Sequence, residues 1–156
     1  MYNPLEVAYL RLKLSNMSLE KILSISSKPG LYELKAQTRS GFVAQSLQNG
    51  RKIAVNLRHD VSMLSEIAVY TLEDEIPLPE VFEKIYEKEN GEKCIDHKRP
   101  KAELIAYFEE ILPEYDNERV YASDVKKIFQ WYNLLISNNI TEFTKQEEKE
   151  SVEEEK

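Results

Sequence analysis

The chain has one cysteine, two histidines, one tryptophan and only four glycines in 156 residues. Each scarcity excludes something. A single thiol, Cys94, rules out an intramolecular disulfide and suits a reducing cytoplasm. One cysteine and two histidines are too few for a Cys/His structural zinc site. The glycines all fall in turn-like contexts, so no Gly-rich phosphate loop is present and no cofactor is expected. No apolar run approaches the roughly 18 residues of a membrane span, so no membrane association is expected.

What is there changes character at Pro77. Before it, apolar and polar residues alternate between turn pairs, as in short strands. After it, apolar residues recur at three and four, as in helices. Charge changes at nearly the same place. Residues 1–72 carry nine Lys/Arg against five Asp/Glu, a net of +4; residues 73–156 carry twelve against twenty-three, a net of −11. An apolar fraction of 42% with nine tyrosines is enough for a packed core. The overall acidic balance argues against indiscriminate binding to nucleic acid or anionic membrane.

The first module is read as residues 17–76. Ile22–Ser26 is a short apolar run, and Ser27-Lys28-Pro29-Gly30 a turn. In Leu31–Thr38, Tyr32, Leu34 and Ala36 share one face. Phe42–Leu47 and Arg51–Leu57 are strands joined at Asn49-Gly50. A two-residue turn there pairs Gln48 with Arg51 and sets Phe42, Ala44 and Ser46 on the face of Ile53, Val55 and Leu57. Asp60 or Ser62 caps a helical turn through Glu66, and Ile67–Thr71 is a last strand. An open sheet this small would expose its edges, so the expectation is a closed SH3-like β-barrel.

The second module, residues 77–144, reads as three acidic helices, giving an α+β chain. One begins at Pro79 and stops at Asn90-Gly91. One lies between Pro100 and Pro113. The third runs from a Ser123 cap to about Ser137, with Val125, Ile128, Phe129, Tyr132, Leu135 and Ile136 as its apolar stripe and Trp131 widening it. Residues 145–156 hold six Glu and three Lys and read as a disordered tail. Residues 1–16 lack the continuous apolar stretch of a secretory signal, because Leu10, Leu12 and Leu14 alternate with Arg11 and Lys13. They are read as a non-native or disordered leader, with Met17 as the natural start.

No catalytic constellation stands out. Cys94, Asp96 and His97 provide half of a zinc or nucleophile motif and lack the rest. His59-Asp60 reads as an exposed histidine beside a cap. The basic residues of the first module are more informative. Lys35, Arg39, Arg51 and Lys52, with Lys28 and Arg58, lie in turns and on outward strand faces near Tyr32 and Phe42. Small barrels bind single-stranded RNA through such basic and aromatic surfaces. The candidate binding residues are therefore Tyr32, Lys35, Arg39, Arg51 and Lys52, with Trp131 on the third helix; no catalytic or metal residue is assigned.

Three stretches, LEKILSISSKPGLYEL, IAVYTLEDEIPLPEVFEKIYEKENGEK and RVYASDVKKIFQWYNLL, resemble a family of uncharacterised Bacteroidota proteins. These pair domain of unknown function 5606 with a C-terminal helical domain. The resemblance covers about residues 17–143. It implies a small two-part cytoplasmic protein whose chain begins near Met17, and it transfers no activity. The expected function is a non-catalytic interaction or regulatory protein with another protein as partner. RNA binding by the basic face is the alternative, and an enzyme with an unrecognised site the third reading. Oligomeric state is left open.

Overall fold

The computed structural model describes residues 19–56 and 60–144. The expectations placed on residues 1–16, Met17, Leu57, Arg58, His59 and the 145–156 tail fall outside them. The fold is α+β. Five strands, β1 (Ile22–Ile25), β2 (Tyr32–Gln37), β3 (Gly41–Ser46), β4 (Lys52–Asn56) and β5 (Val61–Met63), form an antiparallel sheet in the order β4-β3-β2-β1-β5. A second hairpin, β6 (Ala68–Tyr70) and β7 (Glu75–Pro77), leads directly into α1 (Leu78–Lys88). Helices α2 (Lys101–Ile111) and α3 (Ala122–Ser137) follow. The change from strand to helix falls at Pro77.

The sheet does not close into the expected SH3-like barrel. Strands β4 and β5 are its two edges, and no pairing joins them among the described residues. Closure needs strands long enough to tilt and stagger around an axis; β5 has three residues and β1 four. The apolar surface is buried another way. Leu23, Ile25, Tyr32, Ala44 and Val55 form a cluster on one face, joined by Ile53 from one edge and Val61 and Met63 from the other. Ile22 points the opposite way, into the helical core.

Two local features depart from simple alternation. Leu34 lies opposite Ala44 but Ala36 lies opposite Val43, so β2 carries a bulge around Lys35. The extra residue moves Ala36 off the face of Tyr32 and Leu34. The β3–β4 connection is also longer than the tight turn expected at Asn49-Gly50. A two-residue type I′ turn requires positive φ at both residues; here Gly50 has it (φ 75°) and Asn49 does not. Instead the Ser46 N–H donates to the Arg51 carbonyl at 2.9 Å. The Ser46 hydroxyl accepts from the amides of Gln48 (3.0 Å) and Asn49 (3.4 Å). Asn49 Oδ1 accepts from Arg51 N–H at 2.9 Å. The register shifts by two, with Ala44 opposite Ile53 and Phe42 opposite Val55. An even shift preserves the faces.

The helices follow their sequence signals closely. Asn90 (φ 53°) and Gly91 (φ 84°) turn the chain after α1. Helix α3 starts two residues earlier than a Ser123 cap implies, because the Asp124 carboxylate accepts from the Tyr121 N–H at 2.9 Å and closes the first turn. The larger of two core clusters unites the halves: Leu19, Ile22, Leu31 and Leu64 pack with Phe82, Phe108, Phe129 and Tyr132. Burying each such side chain contributes about 1.5–3 kcal/mol. No helix among the described residues is long and apolar enough to cross a membrane.

Candidate functional site

The basic residues stay at the surface. Lys35, Arg39, Arg51 and Lys52 are all exposed. Lys35 lies 3.6 Å from the Glu33 carboxylate, and Lys52 sits opposite Gln45. Tyr32 does not join them. It is 8% exposed and faces the cluster of Leu23 and Ile25. Phe42 is half-buried against the same cluster. Lys52 lies on the face away from Ile53 and the cluster that holds Tyr32, so that charge and the ring do not share a face.

Cys94 lies in the loop between α1 and α2, where α3 fixes it. Its N–H donates to Asn133 Oδ1 at 2.8 Å, and its thiol approaches the carbonyls of Ile95 (3.5 Å) and Phe129 (3.9 Å). Burial, reinforced by Glu89, pushes the thiol up to about 12. A nucleophilic cysteine needs the opposite shift. His97 Nδ1 is 3.6 Å from Asp96, its sequence neighbour. The open depression here, about 340 Å³, is lined by amides and charges including Gln48, Gln130 and Asn133. Among the described residues no group of three or more His, Cys, Asp or Glu could hold a metal. Nearby, the Tyr107 hydroxyl donates to the Glu89 carboxylate. Burial and that bond raise its pKa.

A different place gathers features that suit binding. Asp124, Lys127, Ile128 and Trp131 recur on one face of α3 and look across a cleft of about 240 Å³ at β6. Ile67, Val69 and Leu78 supply apolar walls, and Ala68 and Tyr70 the strand side. The Arg119 guanidinium stacks over the Tyr70 ring at 4.1 Å and is held by Asp116 at 2.9 Å. That ion pair lowers the Asp116 pKa. Three large apolar side chains are notably exposed among the described residues: Tyr70 (44%), Leu72 (69%) and Tyr121 (64%). Tyr70 lines the cleft, Leu72 follows it in the chain, and Tyr121 adjoins Val120 of the cleft wall. Of the sequence candidates, only Trp131 belongs to this site.

Domain of unknown function 5606 matches residues 19–64, and domain of unknown function 6852 matches residues 67–135. A solution NMR structure of a structural-genomics target from Bacteroides vulgatus is 41% identical. The alignment covers 80% of this chain and 90% of that one, with a TM-score of 0.66. The chain belongs to the family that pairs these two domains. No protein of curated function matches it.

Within this paired 5606–6852 family chain, the basic residues Lys35, Arg39, Arg51 and Lys52 fall in the 5606 segment. Every residue lining the β6–α3 cleft falls in the 6852 segment. Sequence reading missed the cleft because β6 and α3 meet only in the fold. Leu72 and Tyr121 offered a weak signal: each is a large apolar residue outside any stripe of its module.

Proposed function

We propose that this protein is a non-catalytic interaction protein of the cytoplasm that docks another protein on the face formed by β6 and α3. The observation that carries the reading is the exposed Tyr70 at a cleft walled by Trp131, with exposed Leu72 and Tyr121 within two residues in sequence of the cleft-lining Tyr70 and Val120. Exposed apolar groups clustered at a concave, partly charged site mark interaction surfaces, whereas single scattered ones do not. The candidate chemical groups point the same way: desolvation holds the half-buried Cys94 thiol protonated, the opposite of what a nucleophile needs.

The test is cross-linked affinity purification from the native cell, with nuclease, comparing the wild type with Leu72→Asp/Tyr121→Asp. Both positions are exposed, so the double variant keeps the fold. The expected result is a set of proteins recovered from wild type with or without nuclease and lost from the variant. Equal recovery by the variant, or loss of recovery on nuclease treatment, overturns the reading.

A further inference from the structure

The β6–β7 hairpin leaves part of one edge open at the cleft; beyond Tyr70 that edge is covered, with Thr71 bridged to Tyr115 and the Leu72 N–H donating to Glu114 O at 2.9 Å. Antiparallel strands alternate residues that bond to their partner with residues that point away. Here Ile67 and Thr71 bond to the β7 side: Leu78 N–H donates to Ile67 O at 2.8 Å and Thr71 N–H to Asp74 O at 2.9 Å. Ala68 and Tyr70, opposite Pro77 and Glu75, therefore direct their N–H and C=O groups outward. The Tyr70 carbonyl accepts from Asp116 N–H at 3.0 Å. The Ala68 N–H, the Ala68 C=O and the Tyr70 N–H have no hydrogen-bond partner among the described residues. Both residues are exposed and both line the cleft.

We propose that this edge receives an extended peptide segment of a partner protein, added as a strand beside β6 and lying in the groove against α3. This deepens the interaction reading and rests on it. Strand addition draws affinity from main-chain bonds and specificity from alternate side chains. One apolar side chain of the peptide enters the cleft against Leu78, Ile128 and Trp131. An acidic side chain meets Lys127, which makes no ion pair among the described residues. Asp124 does not compete strongly for that role, because its carboxylate already accepts the Tyr121 N–H. A second copy of the chain fits poorly. Pairing β6 with β6 would offer the cleft only the Ala68 methyl, and the Tyr70 ring is already stacked under Arg119.

The experiment uses the full chain and a displayed library of random heptapeptides. Peptides with an apolar residue and an acidic one at alternate positions are expected to be enriched. Lys127→Glu, an exposed change on a helix, should weaken the selected peptide roughly tenfold. The deciding measurement leaves the protein unaltered: each amide of the selected peptide is N-methylated in turn. Loss of about tenfold at alternate positions, with none between, is the signature of strand pairing. Exchange of the Ala68 and Tyr70 amides should slow on binding. A flat methylation scan, or unchanged exchange at those amides, overturns strand addition even if the patch still binds. An empty selection with continued capture of a folded protein overturns it too, and leaves the interaction reading standing. Failure of both experiments removes both.

Discussion

Asn133 on α3 grips the backbone of Cys94 thirty-nine residues away. Its Oδ1 accepts the Cys94 N–H at 2.8 Å, and its Nδ2 donates to the carbonyls of Cys94 and Ile95, each at 3.4 Å. Beside it, the Tyr132 hydroxyl donates to the Glu92 carbonyl at 2.9 Å. Two neighbouring side chains of one helix thus satisfy a loop that has no secondary structure of its own.

Replacing Asn133 with Leu should therefore cost about 1–3 kcal/mol, because the Cys94 amide loses its acceptor while remaining partly buried. It should also unmask the thiol. Reaction of Cys94 with a disulfide reagent at pH 8 is expected to be slow in the wild type and faster in the variant. Equal rates in both would show that Asn133 does not hold the loop.

The raised Cys94 pKa makes stability depend on alkaline pH. In the folded protein the thiol holds its proton to about 12; unfolded, it gives it up near the ordinary value of 9.0. Above that lower value the unfolded chain binds fewer protons, so unfolding becomes easier as pH rises. The contribution is present in full below pH 9 and lost between 9 and 12. Half-buried Tyr107 and buried Tyr132 shift in the same direction. Comparison with Cys94→Ala isolates the cysteine. The wild type should lose more stability than the variant in denaturant titrations between pH 8 and 10.5. Parallel losses would contradict a desolvated, protonated thiol.

Phe82 tests whether the halves fold as one. It is fully buried and lies 6.2 Å from Tyr132 and 5.6 Å from Phe143, ring to ring. The same cluster contains Ile22 and Leu31 of the sheet region. Phe82→Ala should cost about 3–5 kcal/mol. The loss should appear equally in Trp131 fluorescence and in circular dichroism, as one transition. Two separated transitions would mean that the shared core does not couple sheet to helices.

The helices were readable because their stripes repeat over eleven to sixteen residues and their ends carry Pro, Asn and Gly. The strands are only three to six residues long, and there the reading lost detail. The helical turn expected through Glu66 forms over Leu64–Glu66, but without a cap from Asp60 or Ser62, since Val61–Met63 pairs with β1 as a strand. Glu75–Pro77 is a strand held by Ala68–Tyr70, although Ile67–Thr71 reads as the last strand. The first pairing depends on a partner some forty residues away in sequence, the second on a short hairpin whose strands have only three residues each. The bulge at Lys35 and the longer turn after Ser46 depend on side-chain and backbone geometry that no periodicity encodes. Tyr32 was placed on the correct strand, but whether a strand's apolar face is covered is a tertiary property. Trp131 was legible as an outlier on the α3 stripe; the β6 edge opposite it was not.

Gly41 tests the sheet as built. It begins β3 opposite Asn56, and a Cβ added there would overlap the backbone of Val55 and Asn56 in β4. Its backbone is not in the left-handed region, so the demand is for space alone. Gly41→Ala should push β4 away from β3 and cost about 1–3 kcal/mol. The damage should stay local, because β4 is an edge strand far in the sheet order from β1, which contacts the helical core. Amide exchange should quicken in residues 52–56 while α3 amides keep their protection. A variant with full wild-type protection in β4 would show that the two strands are not this close at Gly41.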